Sequence, residues 1–259
     1  MTERFREDMT YEEFRKAIVD ERNEEEGKLH LLDGYNCEIC KNKGYILRLD
    51  EKINEYAVDC KCRIIRRVLR RAKQSGLGDV LSELTFDKFN TSEDWQKSVK
   101  DTAQRFCKDD NAKWFFIGGQ VGCGKSHICT AIASHYIKSG YDVKYMLWVD
   151  DSKNLKALTN DKEYSKEIGV YKNVDVLYID DFLYTMHKGE APTKGDINLA
   201  MEIINHRLLD KSKITIISSE KMLDDLIDYS ESIMSRIYQE AGEYKISIAP
   251  DRAKNYRLK

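Results

Sequence analysis

The chain has 259 residues, of which 41% are hydrophobic and 34% are charged, and its formal net charge is −2. This length allows one large domain and one smaller domain, and no apolar run approaches the roughly 20 residues that span a bilayer. The charged start of the chain lacks the apolar core of a secretory signal. We therefore expect a cytoplasmic protein that does not bind membranes and whose seven cysteines are thiols rather than a disulfide framework.

The first 33 residues are rich in acidic side chains and predict a mostly solvated helix. Thr10 has Glu13 three residues after it, which is the spacing of a capping box at a helix N-terminus. Further along the chain, two short runs at about 44–49 and 55–58 predict a β-hairpin. The beginning of the chain is therefore expected to fold as a small α+β domain.

Four cysteines flank this hairpin, with the spacing C-x2-C-x19-C-x-C. Four thiolates complete the tetrahedral coordination of Zn²⁺ and leave no open position, so such a site would be structural. A small segment with few core-forming residues also gains much stability from a bound metal. We predict a structural zinc site, and four unrelated free thiols or an iron–sulfur cluster are the open alternatives. The predicted ligands are Cys37, Cys40, Cys60 and Cys62.

A basic segment follows the last of these cysteines, since residues 61–73 carry seven basic residues and no acidic one. Its apolar spacing predicts a helix at 63–75 that ends near two glycines. The basic side chains would form either a solvated surface or a contact for phosphate groups or an acidic partner. The arginines in question are Arg66, Arg67, Arg70 and Arg71.

We place a domain boundary near residues 76–84, which separates an N-terminal domain of residues 1–80 from a second domain of residues 84–259. In the second domain, apolar runs alternate with amphipathic segments, which favours an α/β fold with a parallel sheet covered by helices. Asp196 is the predicted N-cap of one of these helices. Strands are predicted at 114–118, 143–149, 174–179, 213–218 and 244–249, and helices at 93–109, 125–138, 152–167, 196–210, 221–228 and 231–240.

Between the first of these strands and the helix that follows it, the sequence fits the phosphate-binding pattern G-x-x-x-x-G-K-[ST]. Its glycines let backbone N–H groups surround an anion, and the helix N-terminus adds a partial positive charge. Lys125 would reach the β- and γ-phosphates of a nucleoside triphosphate, and the Ser126 hydroxyl would bind Mg²⁺. The predicted nucleotide contacts are Gly119, Gln120, Val121, Gly122, Cys123, Gly124, Lys125, Ser126 and His127.

Polar residues follow two later strands and the last amphipathic helix. At the carboxyl edge of a parallel sheet, where ligands bind, Asp180 would hold Mg²⁺ and Asp181 would orient the attacking water. Ser218 and Ser219 are both candidates to sense the γ-phosphate or to cap the next helix, and we assign Ser219 to catalysis. Arg236 is either a surface charge or an arginine finger that acts on the nucleotide of a neighbouring subunit.

In this order and spacing, these motifs resemble the DnaC/DnaI-type replicative helicase loaders, AAA+ ATPases related to the IstB transposition helpers. The resemblance covers residues 84–259, and the four-cysteine module is similar to the N-terminal zinc domains of several bacterial and phage loaders. It implies a five-stranded AAA+ core with the sheet order 5-1-4-3-2 and without the C-terminal helical lid of other AAA+ proteins. Phe86 and Phe89 would lie near the adenine.

The resemblance also implies a function in DNA replication, in which hydrolysis of ATP to ADP and phosphate drives a conformational change. Subunits would assemble when ATP binds, and Arg236 would act on the neighbour's nucleotide. The N-terminal domain would bind the hexameric replicative DNA helicase, and the ATPase domains would hold single-stranded DNA. Helix 152–167 and the loop 186–195 are the candidate DNA contacts. The expected cofactors are ATP, Mg²⁺ and Zn²⁺.

Two departures from the family pattern bear on this interpretation. Asp181 is shorter than the Glu that many relatives carry at this place, and Glu231-Ser232 stands where many have a second arginine. Two other functions stay open, an IstB-like transposition helper and an adaptor in which ATP binding switches affinity while hydrolysis is negligible. The resemblance does not distinguish a phage protein from a bacterial one.

Overall fold

The computed structural model describes residues 9–78, 80–185 and 190–258, without the side chain of Ser82. The start of the predicted acidic helix and residues 186–189 of the candidate DNA-binding loop lie outside these ranges. The helices are α1 (Tyr11–Glu24), α2 (His30–Asp33), α3 (Cys62–Ser75), α4 (Val80–Glu83), α5 (Asp94–Phe106), α6 (Lys125–Lys138), α7 (Trp148–Ala157), α8 (Tyr164–Asn173), α9 (Lys194–Leu209), α10 (Leu223–Ile227) and α11 (Glu231–Ala241). The strands are β1 (Tyr45–Leu49), β2 (Glu55–Asp59), β3 (Trp114–Gly119), β4 (Val143–Leu147), β5 (Val176–Asp180), β6 (Ile214–Ser219) and β7 (Lys245–Ile248).

The chain divides into two compact units, Met1–Arg70 and Arg71–Lys259. The division falls inside α3, earlier in the chain than the boundary expected near 76–84. In the described parts of both units, no helix is long and apolar enough to cross a membrane.

The first unit is built from α1 and the antiparallel pair β1 and β2. The predicted capping box starts α1, because Glu13 N donates to Thr10 Oγ1 at 3.3 Å and Thr10 N donates to Glu13 Oε2 at 2.8 Å. The end of α1 joins the hairpin through Asn23, whose amide makes hydrogen bonds of 3.0 and 2.9 Å with the carbonyl and N–H of Leu47. The predicted hairpin and helix are therefore joined by a partly buried polar contact.

The second unit contains a parallel sheet with the strand order β4-β5-β6-β3-β7. Counted along this unit, that is the predicted order 5-1-4-3-2, which confirms the α/β AAA+ fold. Every residue of β3, β5 and β6 is buried, as expected for central strands with helices on both faces. The carboxyl ends of these strands therefore meet at one edge of the sheet.

A buried arginine joins several backbone ends at the opposite edge. Arg207, on α9, is 1% exposed, and its guanidinium donates to the carbonyls of Tyr171 at 3.1 Å, Val174 at 2.9 Å and Ile214 at 2.6 Å. It also donates to Thr215 Oγ1 at 2.9 Å. Burial lowers the pKa of Arg207 to about 10, so the side chain stays charged at neutral pH and ties the end of α8 to the start of β6.

Two predictions about helices are wrong in detail. The single helix expected at 152–167 is two helices, α7 and α8, because Asp161 Oδ1 accepts a hydrogen bond of 2.9 Å from Glu163 N and forms a turn between them. Asp196 is not the N-cap of α9. Thr193 is the cap, and Asp196 is the third helical residue of a capping box, with Asp196 N donating to Thr193 Oγ1 at 3.2 Å.

We expect Arg207→Met to lower the free energy of unfolding of the second unit by about 2–4 kcal/mol, because buried carbonyls lose their donors. The three tryptophans of the chain all lie in residues 71–259, so urea denaturation followed by tryptophan fluorescence reports on this unit. Arg105→Met is the control, since this guanidinium is 56% exposed and its ion pair contributes less than about 1 kcal/mol. Equal midpoints for the two variants would contradict the role given to Arg207.

Candidate functional site

The phosphate-binding loop connects β3 to α6 at the carboxyl edge of the sheet. Gly124, the last residue before α6, has φ 89°, and a Cβ there would lie 3.0 Å from the ring of Phe89. Gly119 has φ 147°, and a Cβ would lie 2.5 Å from the carbonyl oxygen of Ile248. Both positions require glycine, so the glycines of the motif shape the loop as the sequence predicted.

Two side chains of the loop point back to the same carbonyl. Lys125 is 6% exposed, and its Nζ donates to Gln120 O at 2.9 Å. Cys123 Sγ donates to this oxygen at 2.9 Å as well. The ammonium group is therefore held inside the loop, where it can reach an anion that the backbone N–H groups surround.

Asp180, the last residue of β5, accepts hydrogen bonds from three hydroxyl groups. Ser126 Oγ donates to Asp180 Oδ1 at 3.2 Å, and Ser218 Oγ donates to the same oxygen. Tyr145, on β4, donates to Asp180 Oδ2 at 3.1 Å. The contact between Ser126 and Asp180 joins the two oxygen donors that the sequence predicted for Mg²⁺, and hard oxygen ligands suit this ion.

Asp181 follows directly and is held in a strained conformation. Its φ is 53°, and its N–H donates to Ser218 Oγ at 3.3 Å. Burial and the charges of Asp180 and Glu220 raise the pKa of the Asp181 carboxyl to about 6, although Lys125 and Arg257 oppose this rise. A carboxylate that holds its proton weakly near neutral pH can orient a water molecule and accept its proton.

The two serines at the end of β6 have different partners. Ser218 contacts Asp180 and Asp181, whereas Ser219 Oγ donates to Phe182 O at 3.0 Å and accepts a hydrogen bond from Lys221 N at 3.2 Å. Ser219 thus stabilises the turn after the strand. Its catalytic role stays a prediction that its contacts do not favour, and Ser218 is the better candidate beside the phosphates.

The predicted adenine contacts lie beside the loop. Phe89 is buried, and its ring packs edge-on against His127 with the centroids 5.2 Å apart. His127 Nε2 is 2.8 Å from Thr85 O, which connects the segment around Phe86 to the first turn of α6. These contacts place Phe89 next to the loop, and stacking on a base stays a prediction.

Arg236 is exposed on α11. Its Nη1 donates to Asn205 Oδ1 at 2.7 Å. This partner is a neutral amide, so the contact does not neutralise the charge of the guanidinium. Action on a neighbouring subunit stays a prediction.

The four cysteines of the first unit form a compact cluster. All four are buried, and their Sγ atoms lie within 4.8 Å of one another. Cys37 Sγ is 3.8 Å from Cys60 Sγ, and Cys40 Sγ is 3.5 Å from Cys62 Sγ. A tetrahedral zinc ion with Zn–S bonds of about 2.3 Å separates its sulfur ligands by about 3.8 Å. The residues therefore fit a zinc site.

The surroundings of the cluster act on its thiols in opposite directions. Burial raises the pKa of Cys60 and Cys62. Gly44 N donates to Cys40 Sγ at 3.2 Å. Burial acts to raise the pKa of Cys40, but this N–H and the neighbouring thiols outweigh it and lower that pKa. Arg66, which is 4% exposed, faces Cys62 and pairs with Asp33. Its positive charge offsets part of the negative charge that four thiolates carry with Zn²⁺.

This position of Arg66 corrects the predicted basic surface of α3. Arg66 is buried, and Arg71 pairs with Asp142 through an Nε–Oδ1 contact of 2.8 Å. Arg67 and Arg70 stay exposed. Of the four arginines predicted to form a contact surface for phosphate or for an acidic partner, only Arg67 and Arg70 are exposed.

Sequence reasoning missed two parts of the nucleotide site. One is Tyr145, whose hydroxyl holds Asp180. No local pattern marks it, although its position on the second core strand places it at the same sheet edge. The other is the segment 251–258, whose backbone contacts the phosphate-binding loop at Gln120 and Gly122.

Comparison with known proteins identifies a family of ATP-binding proteins. The profile of the IstB-like ATP binding proteins matches residues 39–231. The chain belongs to this family. It is 27% identical over 227 residues to the XkdC protein of the phage-like element PBSX of Bacillus subtilis. The aligned region covers 83% of this chain and 82% of that protein. Membership of this family shows that the chain is an ATP-binding P-loop protein of the AAA+ class.

The chain is also similar to helicase loaders over part of its length. The replicative helicase loader DnaC of Buchnera aphidicola subsp. Schizaphis graminum is 27% identical over 126 residues, 47% of this chain and 50% of that protein. The crystal structure of a DnaC helicase loader superposes with a TM-score of 0.56 and 21% identity, covering 67% of this chain and 100% of the other. At this identity the structural likeness shows the fold.

We expect the purified chain to contain about one zinc ion, and the Cys37→Ser/Cys62→Ser double variant to contain none, because two remaining thiolates do not complete the coordination. Metal content is measured by mass spectrometry. Cys107→Ser, outside the cluster, is the control and retains zinc. Zinc retained by the double variant would reject the four-thiolate site, and iron with visible absorption would favour the cluster alternative.

Proposed function

We propose that this protein is an ATP-dependent loader that places the replicative DNA helicase on single-stranded DNA during replication initiation. The observation that carries the proposal is the convergence of Lys125, Ser126, Asp180 and Asp181 at the edge of a sheet with the AAA+ strand order. The similarity to DnaC and the separate cysteine-rich unit support the choice of a loader. The cysteine-rich unit would bind the hexameric helicase.

Each residue of the site has a separate role at the bound nucleotide. The loop from Gly119 to His127 surrounds the phosphates, and Lys125 contacts the β- and γ-phosphates. Ser126 and Asp180 would hold Mg²⁺, which would neutralise charge on the phosphate oxygens. Asp181 orients the attacking water and accepts its proton. The free energy of hydrolysis to ADP and phosphate drives a conformational change of the assembly. The phosphoryl group passes to water and to no other substrate.

A transposition helper is the second candidate, because the matching family profile is that of IstB-like proteins. The two functions require different partners. A helper binds a transposase, whereas a loader binds a ring-shaped helicase. An adaptor that binds ATP without turnover differs from both, since its partner affinity would change with ATP while phosphate release stays negligible.

We expect the immobilised chain to retain the purified replicative helicase of the same cell in the presence of ATP and Mg²⁺. Lys125→Ala is expected to retain less helicase and to lower ATP hydrolysis by about 100-fold or more, because the phosphates lose their cation. Retained protein is quantified on gels, and phosphate release gives the rate. A clean failure at low salt with ATP and single-stranded DNA present contradicts the loader, and capture of a transposase favours the helper.

We expect Arg236→Ala and Lys125→Ala subunits to be inactive alone and to recover ATP hydrolysis when mixed. An arginine finger contributes about 10³-fold or more to phosphoryl transfer. A mixed interface can join an intact Lys125 to an intact Arg236 of the neighbour, so activity returns only if the site is shared between subunits. Arg105→Ala, at an exposed arginine outside the site, replaces Arg236→Ala in the control mixture and stays active alone. A mixture that remains inactive contradicts action in trans.

A further inference from the structure

The segment 251–258, here called the strap, is bound to the phosphate-binding loop through the side chain of Gln120. Gln120 Nε2 donates to Asp251 O at 2.7 Å, and Asp251 N donates to Gln120 Oε1 at 2.6 Å. Both polar atoms of the amide are therefore used by the backbone of one residue. These two bonds use one N–H and one oxygen lone pair of the amide, so the side chain bridges two chain segments and keeps a second N–H.

A second contact lies two residues further along the loop. Tyr256 N donates to Gly122 O at 3.0 Å. Gly122 has φ 76°, and a Cβ at this position would lie 2.1 Å from Asn255 Oδ1. The glycine is thus required by the close approach of the strap as well as by the backbone conformation. The strap covers the loop at two points.

The other side of the strap is fixed to α5. Gln96 Nε2 donates to the hydroxyl of Tyr256 at 2.7 Å. Gln96 is 2% exposed, and its Oε1 accepts a hydrogen bond of 2.9 Å from Glu93 N at the start of the helix. The strap therefore connects the loop to a rigid element that belongs to neither β3 nor α6. Arg257, whose charge acts on Asp181, extends from the same segment.

We propose that the strap positions the phosphate-binding loop for nucleotide, and that Gln120 acts through Asp251 rather than by contacting phosphate. The inference rests on the ATP binding proposed above. A loop held in its binding conformation loses less entropy when the ligand arrives. Because coupling between two sites is reciprocal, nucleotide bound in the loop also stabilises the strap. Gln120 is a positioning residue in this arrangement.

The first test is a thermodynamic cycle on the affinity for the fluorescent analogue mant-ATP with Mg²⁺. Gln120→Ala removes the bridge from the loop side. Asp251→Pro removes the N–H bond of the bridge from the strap side and displaces the carbonyl, because proline cannot adopt the φ of −156° found there. We expect each variant to weaken binding about fivefold, equivalent to about 1 kcal/mol, and the double variant to bind no more weakly than the single ones.

A control variant and the affinity of the wild-type chain make this result decisive. Gln239→Ala, an exposed glutamine on α11, binds like wild type. Additive losses in the double variant, or wild-type affinity in Gln120→Ala, overturn the proposal while leaving ATP binding intact. Failure of the wild-type chain to bind mant-ATP overturns the proposed function itself. Far-UV circular dichroism and thermal unfolding of each variant show whether a loss of affinity comes from unfolding.

The second test measures how accessible the strap is to protease with and without nucleotide. A residue that only stabilises the fold would not change the effect of nucleotide on this accessibility. Trypsin cleaves after Arg252 and Lys254 in the strap, and mass spectrometry follows the rate. We expect saturating mant-ATP to slow this cleavage at least threefold in wild type and to leave it unchanged in Gln120→Ala. Cleavage of the wild-type strap that is indifferent to nucleotide overturns the coupling.

Discussion

The site depends on a single carboxylate, Asp180, and on the hydroxyl groups that satisfy it. A buried carboxylate is costly unless hydrogen bonds compensate its lost hydration. Ser126 and Tyr145 supply two of these bonds at 3.2 and 3.1 Å, and Ser218 supplies the third. The donors come from α6, β4 and β6, so the register of three parallel strands and the start of one helix must agree before the carboxylate is satisfied.

The first unit also contains buried charged groups that need compensating partners. Its small core places four thiols where they repel one another as thiolates, and Arg66 is buried against Cys62 and Asp33. A metal ion would bind the four sulfurs, and the arginine would offset the remaining charge. In both units, a buried charge with named partners fixes the arrangement of segments that are far apart in sequence. Hydrophobic packing alone would allow several arrangements of such segments.

The sequence predicted what local patterns determine. The apolar runs located all five core strands, and the motif located α6 with the bounds that the structure has, because glycine geometry and helix spacing are properties of short windows. Tyr145 could not be found in this way, and the choice between Ser218 and Ser219 could not be made, since both depend on how β4, β5 and β6 pair. The split between α7 and α8 was missed because a side-chain turn at Asp161 outweighs a continuous helical pattern.

The phosphate-binding loop is commonly treated as a self-contained motif, yet here its second residue, Gln120, is bound to Asp251 far along the chain. The family profile matches residues 39–231, and the strap follows that match. If the loop is positioned from outside, nucleotide affinity can change through the strap without any change in the groups that contact phosphate, which separates the strength of binding from the chemistry of hydrolysis.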